Sequence, residues 1–228
     1  MIQVVMSHPS RTGRDLAAAL RDDRDVVGAV NWTGAPFPDP LLPVLNAASK
    51  TNKLEQLQAL AAAQVKVPPF TTQNPHTARY PDFNAPAVRW LGRRLDHQQG
   101  KDFTDPVFTP DFWTMKLGYD DEWRVHVFKT ARGNFKVLRS GIKLPRQRRF
   151  HPWVRSHRLG WKIAYTGGAP EATKEIARRA VSALNLDFAA VDIANTAEAP
   201  TVLEVNTCPG LDTGTLGYYI GAIKERLP

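Results

Sequence analysis

The chain has 228 residues, of which 43% are hydrophobic, and it carries a formal net charge of +8 with a pI near 9.8. This length fits one large domain or a few small lobes, and the charge favours an anionic partner such as a nucleotide, an acidic substrate or nucleic acid. We find no stretch apolar enough to span a bilayer and no secretory signal. A single cysteine, Cys208, excludes an intrachain disulfide, so we expect a cytoplasmic protein without a membrane partner.

The first 45 residues predict a small α/β unit. IQVVM (2–6) and VVGAV (26–30) are typical of short buried strands, and SRTGRDLAAAL (10–20) has the apolar periodicity of a helix. A strand, a helix and a second strand in this order predict parallel pairing. The proline-rich segment GAPFPDPLLP (34–43) then connects this unit to the rest of the chain.

A helix is predicted to begin after Asn52. Asn52 and Glu55 have the spacing of a capping box, in which each side chain accepts a hydrogen bond from the other residue's backbone. Further on, AVRWLGRRL (87–95) predicts a strand, and the polar segment DHQQGKD (96–102) predicts a loop. The predicted apolar stripe of the helix consists of Leu54, Leu57 and Ala61.

Two strands, DEWRVHVF (121–128) and NFKVLRS (134–140), are joined by the short segment KTARG and predict a hairpin. Alternation places Glu122, Arg124 and His126 on one face of the first strand. For His126 alone, a histidine whose hydrogen bonds are satisfied within the sheet is the preferred interpretation. The apolar residues of the opposite face are Trp123, Val125 and Val127.

Residues 143–162 combine seven basic side chains with three aromatic rings. Such a segment can bind single-stranded nucleic acid by pairing with phosphates and stacking on bases. An amphipathic helix is predicted at 171–184. The basic residues are Lys143, Arg146, Arg148, Arg149, Arg155, Arg158 and Lys162, and the aromatic residues are Phe150, Trp153 and Trp161.

A second hairpin is predicted near the end of the chain, where AVDI and LEVN flank the polar loop NTAEAPT. If the loop is centred on Glu198, Asp192 lies opposite Glu204, and Asn206 points to the same face. Two carboxylates and an amide oxygen suit a hard cation such as Mg²⁺, whereas the alternative is a hairpin whose acidic side chains face water. Four aliphatic residues are expected to pack behind this face: Val191, Ile193, Leu203 and Val205.

The pattern of an aspartate, then Glu-x-Asn, then Pro-Gly resembles the last two strands of the ATP-grasp superfamily. The segment WTMKLGYDDEWRVHVF (113–128) resembles the hinge and strand of RimK-like carboxylate–amine ligases, and especially the small ATP-grasp ligase-like proteins encoded by bacteriophages. The resemblance implies an α/β fold in which two α+β lobes clasp a nucleotide. We expect an ATP-grasp domain at 46–228 after a truncated N-terminal unit at 1–45.

The resemblance also implies a nucleotide and metal site. It assigns Arg93, Gly100 and Lys101 to the phosphates of ATP, although an arginine stands where the family usually has a lysine and the loop has only one glycine. Arginine can still bind phosphate through two parallel hydrogen bonds. The implied ligands of Mg²⁺, or of Mn²⁺ in its place, are Asp192, Glu204 and Asn206.

Three further residues receive roles from the resemblance. Lys116 lies near the segment that lines the adenine, and Arg124 and Arg155 would stabilise an acyl-phosphate intermediate. The chain has Ser156 and His157 where the family's pattern would place an asparagine.

The implied activity is an ATP-dependent ligase that joins a small-molecule or peptide carboxylate to an amine. Three alternatives remain: an ATP-grasp kinase acting on a hydroxyl group, a non-enzymatic nucleic-acid-binding protein that uses residues 143–162, and a degenerate ATP-grasp scaffold. The sequence leaves the oligomeric state open.

Overall fold

The computed structural model describes residues 2–6, 10–21, 28–32, 43–47, 52–75, 90–95, 109–146 and 155–227. Gly100 and Lys101, with the predicted loop at 96–102, lie outside these ranges, as do the middle residues of the basic segment, 147–154. No helix in the described ranges has both the length and the apolar character needed to cross a membrane.

The N-terminal unit contains the predicted strand, helix and second strand with parallel pairing, and a short third strand, which the sequence did not predict, extends the sheet. Ser10 caps the helix by accepting a hydrogen bond from the backbone N–H of Gly13 at 3.0 Å. Leu16 and Leu20, one helical turn apart, point into the core. The elements are β1 (Ile2–Val5), α1 (Arg11–Ala19), β2 (Gly28–Asn31) and β3 (Val44–Leu45).

A small antiparallel sheet follows, preceded by α2. The predicted capping box is present at the start of α2, between Asn52 and Glu55. The predicted stripe is partly wrong, because Leu57 and Leu60 are the buried residues whereas Ala61 is exposed. The elements are α2 (Lys53–Ala62), β4 (Phe70–Thr71), β5 (Trp90–Arg93) and β6 (Phe112–Met115), and the strand order is β4-β6-β5.

The large sheet has five antiparallel strands and contains both predicted hairpins. The strand order β11-β10-β7-β8-β9 brings the two hairpins together, because β7 pairs with β10 at the centre of the sheet. The elements are β7 (Asp121–Lys129), β8 (Phe135–Pro145), β9 (Trp161–Ala164), α3 (Glu171–Ala183), β10 (Phe188–Asn195), β11 (Pro200–Asn206) and α4 (Thr213–Arg226).

Each face of the large sheet is covered by its own hydrophobic core. On one face, α3 packs against the side chains that alternation assigned to it, including Trp123, Val125 and Val127. On the other face, α4 and the N-terminal unit enclose aromatic rings. There the Trp32 ring stacks on Phe188, with 5.5 Å between centroids.

Asn46 joins the N-terminal unit to the beginning of β10. Its side-chain oxygen accepts hydrogen bonds from the backbone N–H groups of Asp187 and Phe188, at 2.7 and 3.1 Å, and its amide nitrogen donates to the carbonyl of Phe188 at 2.9 Å. The backbone of Asn46 has φ of 57°, a left-handed conformation that asparagine tolerates better than most residues. This buried side chain therefore satisfies backbone groups at the start of β10, as the backbone of a neighbouring strand would.

Candidate functional site

A cleft of about 760 Å³ lies between the small sheet and the large sheet. Its described lining is strongly basic, because eight lysine and arginine side chains face three carboxylates. Such a lining favours an anionic ligand. The cations are Lys53, Arg93, Lys116, Arg124, Lys143, Arg155, Arg158 and Lys162, and the carboxylates are Glu122, Asp192 and Glu204.

The C-terminal hairpin places Asp192 directly opposite Glu204, as the sequence predicts. One part of the prediction is wrong: the register shifts after Asp192, so that Ile193 pairs with Val202 and Leu203 is the extra residue of a β-bulge. Leu203 consequently lines the cleft and does not pack in the core. The other three predicted aliphatic residues, Val191, Ile193 and Val205, do pack in that core.

Asp192 is buried and paired with two cations. Arg124 binds it through two parallel hydrogen bonds of 2.7 Å, and Lys143 Nζ lies 2.9 Å from Asp192 Oδ2. Burial by itself would raise the pKa of Asp192, but Arg124 and Lys143 outweigh burial and hold the pKa well below its usual range. Asp192 is therefore ionised at neutral pH.

Lys143 lies between two carboxylates on the floor of the cleft, where it also forms a short ion pair with Glu122. Burial would lower the pKa of Lys143, but Asp192 and Glu122 raise it, so the lysine stays charged. The interpretation of Lys143 as part of a surface patch for nucleic acid is wrong, because its side chain is only 9% exposed. Nothing in the described residues tests nucleic-acid binding by the rest of segment 143–162.

Glu204 pairs with a lysine from the opposite side of the cleft. Lys53, the first residue of α2, places Nζ 3.1 Å from Glu204 Oε1. Burial lowers the pKa of Lys53, and the attraction of Glu204 opposes that effect. The capping box that starts α2 thus also fixes the position of a cation beside the predicted metal ligands.

Arg155 is tied to the hinge segment, residues 116–120. Its guanidinium donates to the carbonyls of Asp120 and Tyr119, at 2.7 and 3.2 Å. The rings of Tyr119 and Trp161 both lie 4.7 Å from the guanidinium carbon. These cation–π and hydrogen-bonding contacts fix Arg155 as a brace between the hinge segment and β9.

The remaining predicted residues within the described ranges also line the cleft. Arg93 enters from β5 and lies close enough to Lys53 to disfavour the lysine's charge. Lys116 occupies the hinge segment. Cys208 lines the cleft too, but burial raises the pKa of its thiol to about 11, so it stays protonated at neutral pH. The half-buried thiol is therefore a poor nucleophile.

The chemistry of Asp192, Glu204 and Asn206 fits a hard divalent cation. Asn206 lines the cleft, and its Nδ2 atom has no hydrogen-bond partner among the described residues. No group of three or more His, Cys, Asp and Glu side chains within the described ranges could hold a metal by itself. A metal here would therefore depend on the Asn206 oxygen as the third protein ligand.

His126 is completely buried between the charged cleft and the aromatic core. Its Nδ1 lies 3.2 Å from the Tyr219 hydroxyl and its Nε2 lies 3.1 Å from the Tyr165 hydroxyl. Burial, reinforced by nearby Arg124, lowers the pKa of His126 to about 3. The prediction of a satisfied sheet histidine is confirmed.

Sequence reasoning missed three charged residues of the cleft: Lys53, Glu122 as an ion-pair partner, and Lys143 as a buried residue. For Lys53 a signal was present, because a capping box fixes which residue begins the helix. For Lys143, the strand β8 continues to Pro145 and pairs across a register shift in β7, which the alternation of side chains does not reveal.

Comparisons with known proteins show which solved structures have a similar fold. No protein-family model matches the sequence, and no curated protein matches it. Among solved structures, the ATP-grasp ligase PsnB, complexed with a phosphomimetic variant of its minimal precursor, Mg and ADP, has a TM-score of 0.64 and 15% identity, over 100% of this chain and 98% of that chain. In another PsnB complex the match spans 82% of this chain and 65% of that chain, which is slightly under two thirds of its length.

Two further structures share the arrangement over nearly their whole length. D-alanine–D-alanine ligase from Bacillus anthracis has a TM-score of 0.63 and 14% identity, over 99% of this chain and 94% of that chain. A RimK domain ATP-grasp protein from Sphaerobacter thermophilus has a TM-score of 0.61 and 14% identity, over 99% and 98%. The described strands, the cleft between two sheets and these superpositions together establish that the chain has the ATP-grasp fold.

Proposed function

We propose that the protein is an ATP-dependent ligase that joins a carboxylate to an amine through an acyl-phosphate. The observation that carries this proposal is the pairing of Asp192 with Glu204 on the floor of a cleft in which cations outnumber carboxylates. The ligases that share the fold support the same class of reaction. The acid and the amine remain to be identified.

In the proposed reaction, a carboxylate oxygen of the substrate attacks the γ-phosphorus of ATP and ADP leaves. The nitrogen of an amine then attacks the acyl carbon, loses a proton and displaces phosphate, which leaves an amide. Little covalent chemistry falls to the protein, which must align the reactants and neutralise charge on the phosphate oxygens.

The described residues are suited to these tasks. Arg93 from the small sheet and Arg124 from the large sheet face the cleft from opposite sides, where both could contact an anion between them. Asp192, Glu204 and Asn206 would hold Mg²⁺ or Mn²⁺, which when bound would neutralise phosphate charge and orient the phosphates for in-line attack. Gly100 and Lys101 stay predicted phosphate contacts, and Lys116 stays a predicted neighbour of the adenine.

The contacts of the two predicted catalytic arginines differ in a way that matters for the proposal. Arg124 already offers a planar pair of donors to one carboxylate, Asp192, so the same fork could bind a phosphate or an acyl-phosphate. Arg155 donates two hydrogen bonds to carbonyl groups of the hinge segment. Arg124 is thus bound to one of the predicted metal ligands, whereas Arg155 is bound to the hinge segment, so we assign the larger catalytic effect to Arg124.

The test is to trap the acyl-phosphate. The protein is incubated with Mg·ATP, hydroxylamine and each acid of a panel of amino acids, small acids and peptides, and both hydroxamate and ADP are measured. Arg124→Lys, which keeps the charge but loses the planar fork, should lower the hydroxamate yield by about a hundredfold, in line with the loss of one charge-stabilising donor. Arg178→Lys, on the solvent side of α3, is the matched control and should leave the yield unchanged.

The outcome separates the alternatives. Hydroxamate that depends on one acid supports the ligase. ADP released together with a stable phosphorylated alcohol, without hydroxamate, would support an ATP-grasp kinase. If no acid or alcohol stimulates ADP release, the ligase proposal fails, and tight, salt-sensitive binding of single-stranded nucleic acid would then favour a binding protein.

A further inference from the structure

The predicted metal ligands are already bound to the protein's own cations. Both oxygens of Asp192 contact Arg124, and one of them also contacts Lys143. Glu204 Oε1 contacts Lys53. These carboxylates are thus neutralised from within the cleft, by side chains that belong to three different elements, α2, β7 and β8.

We propose that Lys53 is a positioning residue that blocks the metal site until a nucleotide enters. Lys53 pairs with Glu204, and a phosphate of the nucleotide replaces Glu204 as the partner of Lys53. The inference rests on the proposed function, because it presumes that the ligand is a metal–nucleotide complex. Its consequence is that free Mg²⁺ or Mn²⁺ binds weakly and that metal and nucleotide bind cooperatively.

The physical reason is the cost of separating a buried ion pair. A free metal ion that binds Glu204 through Oε1 must displace Lys53, whose side chain is only 10% exposed. Of the described residues, only Glu204 forms an ion pair with Lys53, and Arg93 nearby repels it. A displaced Lys53 would remain as a buried, uncompensated charge, which is strongly unfavourable.

A nucleotide removes that penalty. Its phosphates bring negative charge into the cleft together with the metal, so Lys53 gains another anionic partner while Glu204 becomes available. The two carboxylates are not equivalent in this respect. Asp192 is buried and held by two cations, whereas the Glu204 side chain is 36% exposed and held by one, so Glu204 is the ligand that can change partner.

The experiment measures the binding of Mn²⁺, by electron paramagnetic resonance of the free ion and by calorimetry, with and without a non-hydrolysable ATP analogue. The Mn²⁺ bound by the analogue alone is measured without protein and subtracted. In the wild type, the analogue should increase Mn²⁺ affinity by at least about tenfold, and by linkage Mn²⁺ should increase analogue affinity by the same factor. Lys53→Met, which keeps the length of the side chain but removes its charge, should bind free Mn²⁺ at least about tenfold more tightly than the wild type does.

Lys66→Met is the matched control, because it breaks a lysine–glutamate pair of 2.7 Å with Glu198 at the surface, away from the cleft. Its free Mn²⁺ affinity should equal that of the wild type. Lys53→Gln is a second variant that retains a polar group, and circular dichroism establishes that each protein is folded.

Two results would overturn the inference: equal Mn²⁺ affinity of the wild type with and without the analogue, or no gain in free Mn²⁺ affinity in either folded Lys53 variant. Failure of the proposed function has a different signature, namely that the analogue does not bind the wild type at all. In that case the comparison of free Mn²⁺ binding between wild type and Lys53→Met still decides whether Lys53 blocks the metal site.

Discussion

Replacing His126 by glutamine should flatten the pH dependence of stability. The folded protein holds the imidazole neutral, because burial lowers the pKa of His126 from 6.5 to about 3. Between these two values the unfolded chain binds a proton that the folded chain does not, so His126 makes folding less favourable as the pH falls. Glutamine keeps a donor and an acceptor for the hydroxyls of Tyr165 and Tyr219 but does not titrate.

The magnitude follows from the two pKa values. At pH 7 the linkage term is only about 0.2 kcal/mol, because the unfolded histidine is also mostly neutral. At pH 5 it grows to about 2 kcal/mol, and below pH 3 it reaches its limit of about 5 kcal/mol. The wild type should therefore lose about 2 kcal/mol relative to His126→Gln between pH 7 and pH 5.

The assay is urea denaturation of both proteins at pH 7, 6 and 5, followed by the difference between their free energies of unfolding. Groups that titrate equally in both proteins cancel in this difference. Asn46→Ala is the control, because its stability gap to the wild type should not change over the same range. A constant gap between wild type and His126→Gln would refute the reasoning and would mean that the buried imidazole is not held neutral.

Four further substitutions test the charges of the site and the packing of the fold around it. Glu204→Gln should abolish Mg²⁺-dependent ATP binding in calorimetry and should also lower stability, because Lys53 loses the carboxylate with which it pairs. Asp192→Asn should lose binding and a larger amount of stability, about 3–5 kcal/mol, because it removes the carboxylate of Arg124 and one of the two carboxylates of Lys143; an equal loss in both variants would contradict this difference. Gly141→Ala should cost about 1–3 kcal/mol in urea denaturation, since its Cβ would lie 2.6 Å from Ile163 Cγ2 and 3.0 Å from the Ala164 carbonyl oxygen, and unchanged stability would show that β9 can shift. Asn46→Ala should cost about 3 kcal/mol at every pH, because two buried backbone N–H groups lose their acceptor, and a loss below about 1 kcal/mol would show that water replaces the side chain.

Local pattern was sufficient to predict much of this fold. Alternation along β7 correctly separated Arg124 and His126 from the side chains that pack under α3. The hairpin loop centred on Glu198 correctly placed Asp192 opposite Glu204. The capping box at Asn52 was equally readable, because it depends on two residues three positions apart. Each of these features is set by interactions between near neighbours in the sequence or across one tight hairpin.

The features that were missed depend on registers and on distant partners. The bulge that moves Leu203 into the cleft adds one residue to β11, and alternation cannot reveal an added residue. The ion pair of Lys53 with Glu204 joins the start of α2 to the C-terminal hairpin, so it exists only after the two sheets have packed. Composition assigned Lys143 to a basic surface, whereas tertiary packing buries it against two carboxylates.

The division of the chain between residues 45 and 46 stays a prediction. The aromatic core contains residues from both sides of this boundary. The N-terminal unit contributes none of the described residues that line the cleft. It nevertheless supplies Trp32 and Leu16 to the layer that covers Phe188 and Tyr219 behind the large sheet. A fragment that began at residue 46 would keep every described residue of the cleft and yet expose that layer to water. The shortest stable version of this protein is therefore set by the need to cover the aromatic layer behind the large sheet, and not by the residues of the cleft.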